Sequence, residues 1–195
     1  MIDCAKKILG MRGIHYLVTR FGWKGLRRLS FDEKFRKGDW IFNGENPDLV
    51  QLVESYSGKG HILALGCGTA SIAGVLNPES FQSFLGVDLS TEAISLAGKH
   101  ANEKIRFECG DMLQFQCPRK YNVILFPNSL NYAERLSRKK LLRTLSLSLA
   151  PGGRIIVSLA QPARYEGIIN MIREEFSVEV DRDLQSAGGR VLVFS

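Results

Sequence analysis

The stretch His61-Ile62-Leu63-Ala64-Leu65-Gly66-Cys67-Gly68-Thr69-Ala70 decides the fold. A short apolar run without the polar alternation of a half-exposed strand meets a glycine turn, the pattern of a parallel strand buried on both faces. Reading outward, Phe84–Val87 repeats the pattern before Asp88, and Ser90 is placed to cap a helix running to about Lys99. Ile105–Cys109 is a third strand, closed by Gly110 and Asp111, and Tyr121–Phe126 a fourth. A helix over Glu134–Leu149 stops at Pro151-Gly152-Gly153. Arg154–Leu159 is a fifth strand, Ala163–Glu175 a further helix, and Val178–Val180 with Arg190–Phe194 a final pair with one antiparallel member. Strands and helices alternating at this spacing predict an α/β, Rossmann-like, mostly parallel sheet with helices on both faces.

Upstream, Asp48 is expected to cap a helix over 48–57, stopped by Gly58 and Gly60. Residues 1–44 read as a helical arm of one or two short helices, and residues 45–195 as the core domain. The net charge of +6 lies entirely in residues 1–40, which hold ten Lys or Arg against four acids; elsewhere the charges cancel. Such an arm suits an anionic partner, a cover over a site, or simply a solvated face. No apolar run approaches the ~18–20 residues of a membrane span. Four scattered cysteines (Cys4, Cys67, Cys109, Cys117) and three histidines fit neither a disulfide framework nor a zinc site. No metal is expected, and the cysteine usage suits a reducing cytoplasm.

Three motifs end consecutive strands. At Gly66-Cys67-Gly68 the absence of side chains lets a ligand approach the turn and the first amides of the helix expected after it. Asp88, twenty residues beyond Gly68, offers a carboxylate that accepts two vicinal hydroxyls, with Leu89 beside it. Asp111 accepts from an exocyclic amine while Met112 packs on a ring. Open α/β sheets bind ligands at their carboxyl ends, so the three are expected to share one crevice.

With these residues in view, the sequence resembles a class I S-adenosylmethionine-dependent methyltransferase over about residues 45–195. LALGCGTA is similar to the family's first motif, FLGVDLS to its acidic-loop motif, and CGDMLQF to its adenine motif. YNVILFPNSLNY is similar to the fourth-strand motif beside the transferred methyl, and LAPGGRIIVS to the turn and strand that follow. The resemblance implies a seven-stranded sheet with a reversed last strand and S-adenosylmethionine as cofactor. It also implies Gly66, Cys67 and Gly68 along the methionine side, Asp88 and Leu89 at the ribose, Asp111 and Met112 around the adenine, and Phe126 and Trp40 as further contacts. Three positions depart from the pattern: Ala64 replaces the usual first-motif acid, Ala70 the third glycine, and Asn122 a frequent fourth-strand acid. A dinucleotide fingerprint is the rival reading, but its third small position falls on Ser71.

Methyl transfer needs orientation and water exclusion rather than a protein nucleophile. Asn128, Asn131 and Tyr132, after the fourth strand, are the candidates to orient an acceptor. The segment Phe31–Trp40, FDEKFRKGDW, resembles a lid whose rings attract a sulfonium, and His15 and Tyr16 are candidate bases. The basic residues of the helix after the fourth strand, Arg135 to Arg143, read as a solvated face. The expected activity is methylation of an oxygen or nitrogen of a small molecule. RNA methylation through the basic arm is the alternative, and a catalytically silent binding protein a third reading. Oligomeric state is left open.

Overall fold

The computed structural model describes residues 13, 24–40, 46–185 and 189–195. The short helices expected before residue 24, with Cys4, His15 and Tyr16, lie outside the described residues. Seven strands form one sheet: β1 (His61–Leu65), β2 (Ser83–Asp88), β3 (Ile105–Cys109), β4 (Tyr121–Pro127), β5 (Leu149–Leu159), β6 (Val178–Asp183) and β7 (Arg190–Phe194). Their order is β3-β2-β1-β4-β5-β7-β6. All neighbours are parallel except β7, which runs antiparallel to both β5 and β6. The helices are α1 (Lys24–Arg36), α2 (Pro47–Ser57), α3 (Thr91–Ala97), α4 (Arg135–Ser146) and α5 (Glu166–Glu175). None among the described residues is long and apolar enough to cross a membrane.

The apolar runs read from sequence are central strands, and successive residues feed opposite faces. Ile62, Ala64, Val123 and Leu125 pack with Leu49 and Val53 of α2. Leu63, Leu65, Ile124 and Phe126 pack with Leu142 and Leu145 of α4 and Ile168, Ile169 and Ile172 of α5. At the far edge, β6 carries Glu179, Asp181 and Asp183 in ion pairs: Arg154 with Glu179 at 2.7 Å, and Arg190 with Asp181 at 2.5 Å and Asp183 at 2.9 Å.

Several local expectations are corrected. Asn46, not Asp48, caps α2: its side-chain oxygen accepts from the Asp48 amide at 2.9 Å, with Pro47 as the first helical residue. Gly58 ends that helix in the left-handed conformation (φ +54°). The helix expected after the glycine turn is absent. Only a four-residue 3-10 turn, Ser71–Gly74, follows β1, with Asn77-Pro78 soon after. Pro151-Gly152-Gly153 lies inside β5 instead of before it. Tyr121 pairs with Leu149 and Val123 with Arg154, so β5 bulges by several residues, with Gly152 at φ +75°. Asn122 sits at the base of the sheet, away from the strand tips; its side-chain oxygen accepts from the His61 amide at 3.1 Å.

A candidate active site at the strand tips

The glycine turn is pinned against the end of β2. Gly66 and Cys67 both donate backbone N–H groups to the carbonyl of Val87, at 2.7 and 3.1 Å. Gly66 is left-handed (φ +69°), and a Cβ there would fall 2.4 Å from the Ser129 Cβ. Glycine is required on both counts. Ser129, absent from the sequence reading, is buried and donates its hydroxyl to the Leu65 carbonyl at 2.5 Å, binding the tip of β4 to that of β1.

Asp88 is 7% exposed. One carboxylate oxygen accepts from the Gly68 amide at 2.8 Å, the other from the Ser90 amide at 2.9 Å. Burial raises its pKa above the ordinary 3.8, opposed by the Ser90 and Gly68 amides and reinforced by the charge of Asp32. The Leu89 amide is a third backbone donor, and the carboxylate keeps acceptor capacity for a further donor. Asp111 stands one strand over. It accepts from the Leu113 amide at 3.0 Å and, on its other oxygen, from the Arg27 guanidinium at 3.4 Å.

Arg27 and Asp32 show what the sequence reading missed. Both belong to α1, which lies across the tips. Asp32 accepts from the Ser90 hydroxyl at 2.6 Å, the Thr91 hydroxyl at 3.3 Å and the Glu92 amide at 3.2 Å, so α1 supplies the carboxylate that closes the first turn of α3. Phe35 reaches within 3.5 Å of where a Gly68 Cβ would sit. Phe31 stacks edge-on against Trp40 (5.1 Å between ring centres) and Tyr132 (5.6 Å), while Trp40 meets Phe35 at 5.6 Å and Tyr132 at 5.2 Å. The available signal was the spacing of Arg27, Phe31 and Phe35, which puts all three on one stripe of a helix.

The sequence-named residues divide accordingly. Gly66, Leu89, Asp111, Met112 and Tyr132 line one small cavity with Arg27 and Phe31, whereas Asp88 and Gly68, hydrogen-bonded to each other, are not part of its lining. Trp40 sits on the ring cluster above. Phe126 does not join them; it is wholly buried on the α4–α5 face of the sheet. The Cys67 thiol turns into the opposite core, where burial and the Asp88 charge push its pKa well up. Asn128 is exposed and left-handed (φ +53°), its amide donating to the Ser158 carbonyl and hydroxyl. Asn131 donates to the Tyr165 hydroxyl at 3.3 Å. Arg138, expected on a solvated face, instead turns inward and donates to the carbonyls of Leu130 and Asn131, bracing this loop; burial lowers its pKa.

A glycine turn, a buried carboxylate after β2 and an acid after β3, on a sheet of this order, are matched by the family described as "Methyltransferase domain" over residues 62–153. The chain is similar to that family over this stretch, and its fold is that of S-adenosylmethionine-dependent methyltransferases. Solved structures agree in fold. The N-methyltransferase NodS from Bradyrhizobium japonicum WM9, in complex with S-adenosyl-L-homocysteine, is 19% identical with a TM-score of 0.66, covering 84% of this chain and 97% of its own. The magnesium protoporphyrin IX methyltransferase ChlM from Synechocystis PCC 6803, with bound S-adenosylmethionine, is 18% identical with a TM-score of 0.66, covering 88% and 95%. The glycopeptide N-methyltransferase MtfA is 14% identical with a TM-score of 0.63, covering 79% and 91%.

The residues at the strand tips fit S-adenosylmethionine in chemistry. The buried carboxylate of Asp88 suits a hydroxyl donor, the acid at Asp111 suits an amine, and Leu89 and Met112 supply apolar faces. The space does not fit while α1 stays in place: the cavity measures about 20 Å³, the room of one water, against the ~300 Å³ or more of a small-molecule site.

Proposed function

We propose that this protein carries a methyl group from S-adenosylmethionine to an oxygen or nitrogen of a small molecule by direct in-line transfer. The observation that carries the reading is the meeting, at the strand tips, of the Gly66–Gly68 turn with the carboxylates of Asp88 and Asp111. Tyr132, which lines the small cavity there, presents a π-face to a cation, worth ~0.5–2 kcal/mol. The bound cofactor supplies a methyl already activated on a sulfonium. In this reading Asp88 holds the ribose through a hydroxyl, Asp111 accepts the adenine amine, and Leu89 and Met112 bracket the base. The backbone of Gly66 and Gly68 leaves room for the amino-acid tail. The acceptor is oriented from the loop Asn128–Tyr132, whose shape Arg138 maintains. Cys67, buried and held as a thiol, offers no nucleophile for a covalent route.

ChlM, named for magnesium protoporphyrin IX, and MtfA, named for a glycopeptide, lend support by likeness of fold. The RNA reading draws on the arm's charge. Within α1 and the turn after it, however, Lys34 pairs with Asp39 at 2.8 Å, and Arg36 and Lys37 pair with Glu33 at 3.0 and 3.2 Å. Those cations are partly spent within the chain. The deciding experiment incubates the protein with methyl-labelled S-adenosylmethionine and a cell extract, then separates small molecules, RNA and protein. Label in the small-molecule fraction is the expected result; label only in RNA or protein overturns the reading. Calorimetry with S-adenosylhomocysteine that shows no heat overturns the enzymatic reading altogether.

A further inference from the structure

Helix α1 traces the path that the proposed cofactor arrangement assigns to the adenosyl group. Arg27 lies at Asp111, the adenine end. Asp32 lies at Ser90, next to the carboxylate assigned to the ribose, and Phe35 lies over Gly68, on the methionine side. The correspondence at the adenine end is chemical as well as spatial. The guanidinium of Arg27 is planar and donates N–H to the Asp111 carboxylate, which is what an adenine amine would do. Arg27 and Asp111 side chains are only 6% and 9% exposed, so bulk solvent screens the pair little. The contact is also incomplete. At 3.4 Å it is long, and the buried Nε of Arg27 has no partner. A buried cation satisfied this poorly is one that a better partner for Asp111 can displace.

We infer that α1 is an internal competitor of the cofactor: Arg27 latches onto Asp111, and nucleoside entry must break that pair and lift α1 from the strand tips. This rests on the proposed cofactor arrangement and goes beyond it, because a lid that merely closes over a bound cofactor would be tightened by binding. A competitor is expelled by it. Expulsion has a second structural consequence: Asp32 leaves with α1, so the Glu92 amide and the Ser90 and Thr91 hydroxyls lose their acceptor, while Ser90 still caps α3 through the Ala93 amide. Apparent affinity is the intrinsic affinity scaled by the fraction of molecules with the site open, so any change that weakens the latch raises it.

Two measurements test the latch. Hydrogen exchange with and without S-adenosylhomocysteine should show the amides of residues 27–36 and of Glu92 exchanging faster in the complex. Slower exchange there overturns the proposal in favour of an ordinary lid. Calorimetric titration of Arg27→Met, which keeps the packing volume, should give tighter S-adenosylhomocysteine binding than the wild type by more than about threefold. Asp32→Asn, which weakens the clamp without touching Asp111, should shift affinity the same way. Unchanged or weaker binding in both variants overturns the latch while leaving the cofactor reading intact. Failure of wild type and both variants to bind is a different result: it overturns the cofactor reading, and the latch with it.

Discussion

The two ends of the sheet use the same residue types for different ends. At the base, Gly60 sits where a Cβ would overlap the Asn122 amide, Asn122 accepts from the His61 amide, and His61 meets the Ser83 hydroxyl at 2.8 Å. Each polar group there is answered by a neighbour of the same scaffold. At the tips, Gly66 and Gly68 stand near two carboxylates, the buried Asp88 and the half-buried Asp111. Among the described residues, α1 brings a buried arginine to Asp111 and a second acid beside Asp88. Glycine beside a polar side chain therefore means strand registration at one end and accessible binding chemistry at the other. The difference lies in whether the polar groups are answered by the scaffold or by a removable helix.

The sharpest way to break this comparison is Asp88→Ala. Losing the acceptor of a ribose hydroxyl should weaken S-adenosylhomocysteine binding at least about tenfold, or ~1.5 kcal/mol per charge-assisted hydrogen bond, measured by calorimetry. The same site carries a pH signature. Hydroxyl donors favour the ionised carboxylate, so affinity should fall as pH is lowered through the Asp88 titration. Burial places that fall above the ordinary 3.8, and Asp88→Asn should remove the slope. Next in size is Gly153→Ala. Its Cβ would come within 2.7 Å of the Tyr121 carbonyl and 3.0 Å of the Ala150 carbonyl; backbone cannot yield cheaply, so urea denaturation should show a loss of ~1–3 kcal/mol with ligand affinity unmoved. The smallest effect belongs to Asn122→Ala. It strands the His61 amide, costing ~1 kcal/mol, again without changing ligand binding. A base variant that altered affinity as much as Asp88→Ala would erase the distinction between the ends.

Central strand positions were legible because burial on both faces leaves continuous apolar runs: His61–Leu65 and Arg190–Phe194 occupy the residues their patterns indicated. The outer strand Ile105–Cys109, mostly unburied, was bounded instead by Gly110 and Asp111 after it. Local interruptions were harder. Pro151-Gly152-Gly153 carries strong stop chemistry, yet pairing with β4 resumes at Arg154 and absorbs the intervening residues as a bulge. The segment after Gly68 stands where a helix is expected but makes only one 3-10 turn, with Gly74 and Asn77-Pro78 closing it. At the site, the residues on strand ends could be named because topology brings those ends together. Arg27 and Asp32 were invisible because their meaning depends on where α1 docks, 84 and about 60 residues from their partners. Phe126 was misassigned for a related reason: period-two alternation puts it opposite Leu125, and one residue of phase decides which face it serves.

The two outer strands carry a further consequence. A parallel sheet open at both sides offers rows of unpaired amides and carbonyls that invite another chain to extend it. β3 is five residues long and bears Arg106 and Glu108, while β6 bears Glu179, Asp181, Arg182 and Asp183, tied into ion pairs. Any strand aligning there would have to bury or match those charges, so both margins resist the polymerising contact that plain edges permit.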